Sequence, residues 1–334
     1  MEQQQRLTQI ENLRAFAILI VVLGHSIILY SSAWDLYQTT VSVPFLDGLK
    51  QVIDLVLMPL FFSLSGYLFV FSHRKKRGIL PLVKSKFRRL LIPYFGIGLL
   101  YMLPIRLSVG YAGYTGIRFT DLVWKFLTAS DVGHLWFLPS LFLIFLLSEI
   151  LLSIADRIPV LKKFPELVLL VAGGMLYLEG YRIGLGYGPL LSALNYLMWF
   201  ALGCCLNVYQ AYIQKIYRFR LIKWGLLLLN LLLLVYAFIT PSLRVLISLG
   251  LRGLFVVNAY GAMPEKTCNL VQRIDRNSFG IYLFHSPLIY IVFATIPNAH
   301  PAIVVGINFL IFGAAAFGLT ELIRKTKLRV LIGE

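Results

Sequence analysis

The sequence predicts an all-α fold, a polytopic transmembrane helical bundle of about ten spans with N- and C-termini cytoplasmic, and three observations carry that prediction. Of 334 residues, 59% are hydrophobic and only 14% charged, with a mean hydropathy of +0.79. No soluble domain hides that much apolar surface. The apolar residues gather in runs long enough to cross the ~30 Å hydrocarbon layer. The basic residues behind the net charge of +16 cluster in every second loop, the positive-inside pattern.

The runs cover approximately 13–31, 51–72, 90–108, 134–154, 164–180, 188–207, 221–240, 243–262, 278–296 and 301–323. The first follows a lead carrying Glu2 and several glutamines, is long enough to span, and has no small-residue cleavage site after it, so it reads as a retained span. Between the second and third runs lies the most basic segment: Arg74, Lys75, Lys76, Arg77, Lys84, Lys86, Arg88 and Arg89. The segment 109–133 is the longest outer one, and its Phe119, Leu122, Val123, Phe126 and Leu127 recur at helical spacing, as in an amphipathic helix on a membrane surface. The fifth run is interrupted by Gly173-Gly174. The expectation is one integral-membrane domain over 1–334 with no appended soluble domain.

Alternating loop charge assigns the basicity to topology and to anionic lipid of the bilayer, and makes nucleic-acid binding the weaker reading. Cys204 and Cys205 are adjacent inside an apolar run, and Cys268 lies in a loop. Their spacing fits neither a disulfide framework nor a metal site. No pattern specifies an oligomeric state.

Ionisable residues inside a membrane helix are expensive and mark sites. Arg14 and His25 are the strongly polar side chains of the first run. At ~100° per residue their eleven-residue spacing is about three turns, so both fall on one helix face, roughly 16 Å apart along the axis. A guanidinium suits phosphate or carboxylate recognition, and a neutral imidazole can take a proton from a hydroxyl near neutral pH. The alternative is structural: Arg14 snorkels to inner headgroups and His25 bonds a neighbouring helix. Spacing alone leaves both open.

Other residues carry weaker signals. Ser65 beside Gly66 reads first as a close helix contact and second as a site residue. Asp54 fits a helix cap better than a carboxylate orienting His25. Arg252, inside the eighth run, should face a cavity or a partner. Trp136 reads as an interfacial anchor whose face could stack on a sugar. His285, in the ninth run, reads as a helix-packing histidine.

Several motifs then join the Arg14/His25 pair in order. The second run ends Pro59-Leu60-Phe61-Phe62-Ser63-Leu64-Ser65-Gly66-Tyr67, and Lys86-Phe87-Arg88-Arg89-Leu90-Leu91-Ile92-Pro93 opens the third. The fourth opens His134-Leu135-Trp136-Phe137, and the ninth reads Ser278-Phe279-Gly280-Ile281-Tyr282-Leu283-Phe284-His285-Ser286-Pro287. Together, from Glu11 to about Pro287, they make the chain resemble the acyltransferase-3 family of integral-membrane O-acyltransferases. That resemblance implies acetyl-CoA as a cytoplasmic acyl-donor substrate, no bound cofactor or metal, and a hydroxyl of a cell-surface or lipid-linked carbohydrate as acceptor. It also implies a multi-pass protein of a bacterial cytoplasmic (inner) membrane. Carried over by motif, Arg14 and His25 match the family's arginine–histidine pair, and His134 its histidine at the outer end of the fourth span. Lys86 and Arg89 match its paired basic element. Lys86 replaces an arginine there, offering a point charge instead of a bidentate fork, with Arg88 beside it to compensate.

Thioester-to-alcohol transfer needs a base and cations for the CoA phosphates. His25 is the expected catalytic base and His134 a second catalytic candidate on the acceptor side. Arg14, Lys86, Arg88 and Arg89 are the expected donor-binding set. Ser65, Asp54, Trp136 and Arg252 remain as further candidates. The rival reading is a transporter or flippase for a lipid-linked glycan, since intramembrane Arg and His also mark substrate pathways.

Overall fold

The computed structural model describes residues 2–34, 36–37, 39–73, 78–183, 188–240 and 245–334, so Arg74, Lys75, Lys76 and Arg77 of the basic loop lie outside the described residues. Every expected run is helical over most of its described residues. In chain order the helices are α1 (Glu2–Ser26), α2 (Pro44–His73), α3 (Ile79–Ser108), α4 (Phe119–Thr128), α5 (Phe137–Ala155) and α6 (Pro165–Ile183). There follow α7 (Pro189–Val208), α8 (Gln210–Arg218), α9 (Arg220–Ile239), α10 (Val245–Ala262), α11 (Asn269–Thr295) and α12 (Pro301–Arg324). Among the described residues there is no strand.

Proline sets several of these boundaries. α2, α6, α7 and α12 each open on one, where the fixed φ suits a first turn and the missing N–H has no intrahelical partner to lose. Inside α3, Pro93 and Pro104 would clash with the carbonyls one turn back. The π turns Phe87–Leu91 and Gly98–Met102 stand just before them and absorb that clash without ending the helix.

Among the described residues, eight helical stretches are long and apolar enough to cross a membrane. The first and fifth expected spans, α1 and α6, fall outside that set because their ends are polar: Glu11 and Arg14 in α1, Glu166 and Glu179 in α6. α1 is nonetheless central, with Leu13, Ala17, Ile18, Val21 and Val22 buried between α2 and α11. α11 buries 67% of its apolar window and α9 only 11%, so α11 belongs to the interior and α9 presents Leu228, Leu231, Leu232 and Val235 outward. An apolar outer face of that extent belongs in lipid. The expected surface helix is α4, whose Leu122 and Phe126 are buried while Phe119, Trp124 and Leu127 are exposed.

The glycines of α6 do not interrupt it. α6 runs through Gly173 and Gly174, and Gly173 serves close packing instead: a Cβ there would come 2.6 Å from the Met198 nitrogen of α7. Among the described glycines, the closest helix approach joins α2 to α7. A Cβ on Gly66 would lie 1.8 Å from the Phe200 carbonyl oxygen, and one on Gly203 the same distance from that of Ser63. Backbone cannot yield as a side chain can, so Gly203→Ala must push the helices apart. We expect a loss of about 2 kcal/mol, read as a lower unfolding temperature in detergent. Gly225→Ala, with open space around the new methyl, is the control expected to leave it unchanged.

Candidate active site

A cavity of about 510 Å³ is walled by α1, α2, α11 and the start of α5. Along α2 its lining is Lys50, Asp54, Leu57, Phe61, Leu64 and Leu68, one face of the helix. Eighteen residues at 1.5 Å each give a length of about 27 Å, close to the hydrocarbon thickness. Arg14, 38% exposed, and Asp54, 55% exposed, mark its two ends. Arg14 and His25 both line it, on the shared face of α1.

His25 lies toward the Lys50 end. A Cβ on the adjacent Gly24 would sit 2.9 Å from the Ile53 side chain, which fixes the depth at which α1 and α2 touch. Around His25 the fold assembles three histidines. His285 of α11 stacks on it with ring centroids 5.0 Å apart, and His134 stands at 6.2 Å from His25 and 5.8 Å from His285. Among the described residues no group of His, Cys, Asp or Glu is arranged to hold a metal ion.

The hydrogen bonds assign the protons. His285 Nδ1 lies 2.7 Å from the Ile281 carbonyl oxygen, which can only accept, so Nδ1 carries the hydrogen. His285 Nε2 is then a lone pair, and it faces His25 Nδ1 at 2.7 Å. His25 Nδ1 therefore donates, which leaves His25 Nε2 as an unprotonated base toward the cavity. One backbone carbonyl thus sets the tautomer of two imidazoles.

His134 is held by a separate device. It sits on the 3-10 turn Gly133–Trp136 before α5, where Gly133 has φ +48° and a Cβ would meet Arg106 Nη2 at 2.3 Å. Only glycine fits that turn. Arg106 is buried, donates to the Tyr114 and Tyr290 hydroxyls at 3.0 and 2.9 Å, and lies 3.5 Å from Asp131. Burial pushes the Tyr111 and Tyr114 phenols up, so both meet the guanidinium as neutral rings. The Tyr282 hydroxyl donates to the His134 carbonyl at 2.5 Å. His134 Nε2 points to the Leu283 carbonyl at 3.3 Å, and its buried Nδ1 has no protein partner. His134 is therefore no separate outer station. It belongs to the same cluster as His25, and Lys50 with Asp54 marks the cavity's far end.

Arg14 meets Asp275 of α11 through Nη2–Oδ2 and Nε–Oδ1 contacts of 2.7 Å each. Asp275 uses one edge of the guanidinium fork, leaving Nη1 for another anion. Asp54 pairs with Lys50 instead of orienting His25, whose partner is His285. Trp136 and Tyr196 line the cavity with rings 5.6 Å apart. Ser65 lines it too, though its hydroxyl donates back to the Phe61 carbonyl at 3.1 Å, the helix-packing use of a serine.

The remaining residues singled out in the sequence stay off this cavity. Lys86 Nζ lies 3.6 Å over the Phe145 ring, and Arg88 and Arg89 are exposed, with Arg88 Nη2 3.4 Å from the Glu334 carbonyl. Leu90, beside them, does line it. Arg252 reaches Tyr177 of α6 at 3.4 Å. Sequence reasoning gave His285 a packing role only, and passed over Asp275, Lys50 and Arg106. Each is a polar side chain in or beside an apolar run, a signal that applies to all four without ranking them.

Residues 7–323 match the family model described as an acyltransferase domain. The chain belongs to the acyltransferase-3 family. It is a membrane acyltransferase, and the carrier reading gives way to transfer chemistry. No curated protein and no solved structure matches it.

Proposed function

We propose that this acyltransferase moves an acetyl group from acetyl-CoA, at the basic and cytoplasmic end of the bundle, to a hydroxyl of a cell-surface or lipid-linked carbohydrate, in a bacterial cytoplasmic membrane. The observation that carries this reading is the bare Nε2 of His25 in a cavity as long as the membrane is thick, with Arg14 about 16 Å away. A donor arm entering beside Arg14 reaches His25, and an acceptor entering beside Lys50 and Asp54 meets it there.

His25 Nε2 takes the proton of the acceptor hydroxyl as its oxygen attacks the thioester carbonyl carbon. The new carbon–oxygen bond replaces the carbon–sulfur bond. The sulfur leaves as the CoA thiol, carrying the proton back from the imidazolium. Nδ1–H stays bonded to His285 throughout, so the positive charge that forms on His25 faces an acceptor lone pair. Trp136 and Tyr196 offer flat apolar faces to a sugar ring, and His134 Nδ1 accepts a bond from a neighbouring hydroxyl.

The test is purified protein in vesicles with acetyl-CoA, read as free thiol released with and without carbohydrate acceptor. Alongside it, surface glycans from cells with and without the protein are compared by mass. Acceptor-dependent thiol release and loss of an acetyl increment are expected. Intact acetyl-CoA, with glycans of unchanged mass, would overturn the reading.

A further inference from the structure

A second cavity, of about 930 Å³, opens between the start of α1, the short helix α8 and the α10–α11 connection. Its floor is a buried polar network. Gln9 Nε2 donates to the Met263 carbonyl at 3.1 Å, and the amides of Gln210 and Gln214 reach Gln9 Oε1 at 3.4 and 3.3 Å. Lys215, Arg218, Lys223 and Lys266 stand around it, with Glu265 as the acid in the lining. Among the described residues none of these four cations forms an ion pair. Four like charges converging on one opening repel one another until an anion joins them.

The helix beside the cavity says where that anion comes from. On α8, Tyr212 and Ile216 are 68% and 45% exposed, and just past its end Phe219, at the break, and Leu221, opening α9, are exposed as well at 59% and 88%. Gln210, Gln214 and Tyr217 occupy the opposite, cavity-lining face. A short helix with an apolar stripe outward and basic residues on its flank lies in the membrane interface, at headgroup depth. The cavity mouth and the lipid-facing stripe therefore share one helix.

We propose that this cavity holds the phosphate-bearing headgroup of an anionic phospholipid, with Lys215, Arg218, Lys223 and Lys266 around the phosphate and the glutamine floor beneath it. The bound lipid ties α8 to α1 and to the α10–α11 connection. The site is separate from the transfer cavity and shares no lining residue with it.

The test titrates the detergent-purified full chain with short-chain phosphatidylglycerol, phosphatidylcholine, inorganic phosphate and CoA, with binding read by native mass spectrometry. Phosphatidylglycerol is expected to bind and phosphatidylcholine to compete poorly. At about a fivefold contribution per cation, Lys215→Ala/Arg218→Ala/Lys223→Ala should weaken phosphatidylglycerol binding roughly 100-fold. Lys162→Ala/Lys163→Ala, in another basic loop, should leave it unchanged. If the triple variant does not fold, Lys266→Ala alone should weaken binding about fivefold. Equal binding of the two lipids, or variants that bind like wild type, overturns the proposal. Displacement of the lipid by inorganic phosphate or CoA at comparable concentration also overturns it, and assigns the cavity to a soluble phosphate.

Discussion

A His25→Ala protein in vesicles is expected to transfer acyl groups about 10³-fold more slowly than wild type, a loss of roughly 4 kcal/mol of transition-state stabilisation. The loss should fall on kcat, because His25 meets the acceptor hydroxyl only as the proton moves, while Arg14 and its anion contacts lie about 16 Å away along α1. Acetyl-CoA binding should therefore be nearly unchanged. The fold should survive as well, since His25 is half-buried on a cavity wall and not among the fully buried residues of the core. Single-turnover release of thiol separates the two quantities. A variant that transfers at the wild-type rate would remove His25 as the base, and one that loses acetyl-CoA binding instead would move it to the donor site.

The first half of this site was legible and the second was not, for a physical reason. Arg14 and His25 share a helix, so 3.6-residue periodicity places them on one face before any packing is known. His285 and Asp275 acquire their roles only from the contact of α11 with α1, across sequence separations of 260 and 261 residues. Nothing local distinguishes His285 from a packing histidine. Its Ile281 carbonyl partner belongs to its own helix, and its His25 partner is set by tertiary structure. The apolar runs located the spans, since lipid demands them. Their ends were less legible: α2 starts at Pro44 and α11 at Asn269, each several residues before its apolar run, because polar turns carrying Asp47 or Arg273 extend the helix beyond the hydrocarbon. Arg106 shows the converse, a polar residue in an apolar run whose use is to hold the turn that carries His134.

The tautomer assignment makes a second prediction that a purely structural role for His285 would not. His285 does not line the cavity. It acts on the reaction through His25, as a positioning residue. In His285→Leu, His25 Nδ1 loses its acceptor, nothing holds the hydrogen on that nitrogen, and Nε2 is free to carry it instead. We expect kcat to fall about 100-fold with KM little changed, within the range for a mispresented general base. His285→Gln places an amide oxygen near the position of the imidazole Nε2, so Nδ1–H of His25 keeps an acceptor, and most of the lost activity should return. A packing role predicts the opposite order: leucine fills a fully buried site at least as well as glutamine, whose amide would there be only partly satisfied. Thermal unfolding of both variants, measured beside their kinetics, separates the two accounts. If His285→Leu transfers at the wild-type rate, or if His285→Gln is folded and no more active than His285→Leu, the carbonyl of Ile281 does not set the base.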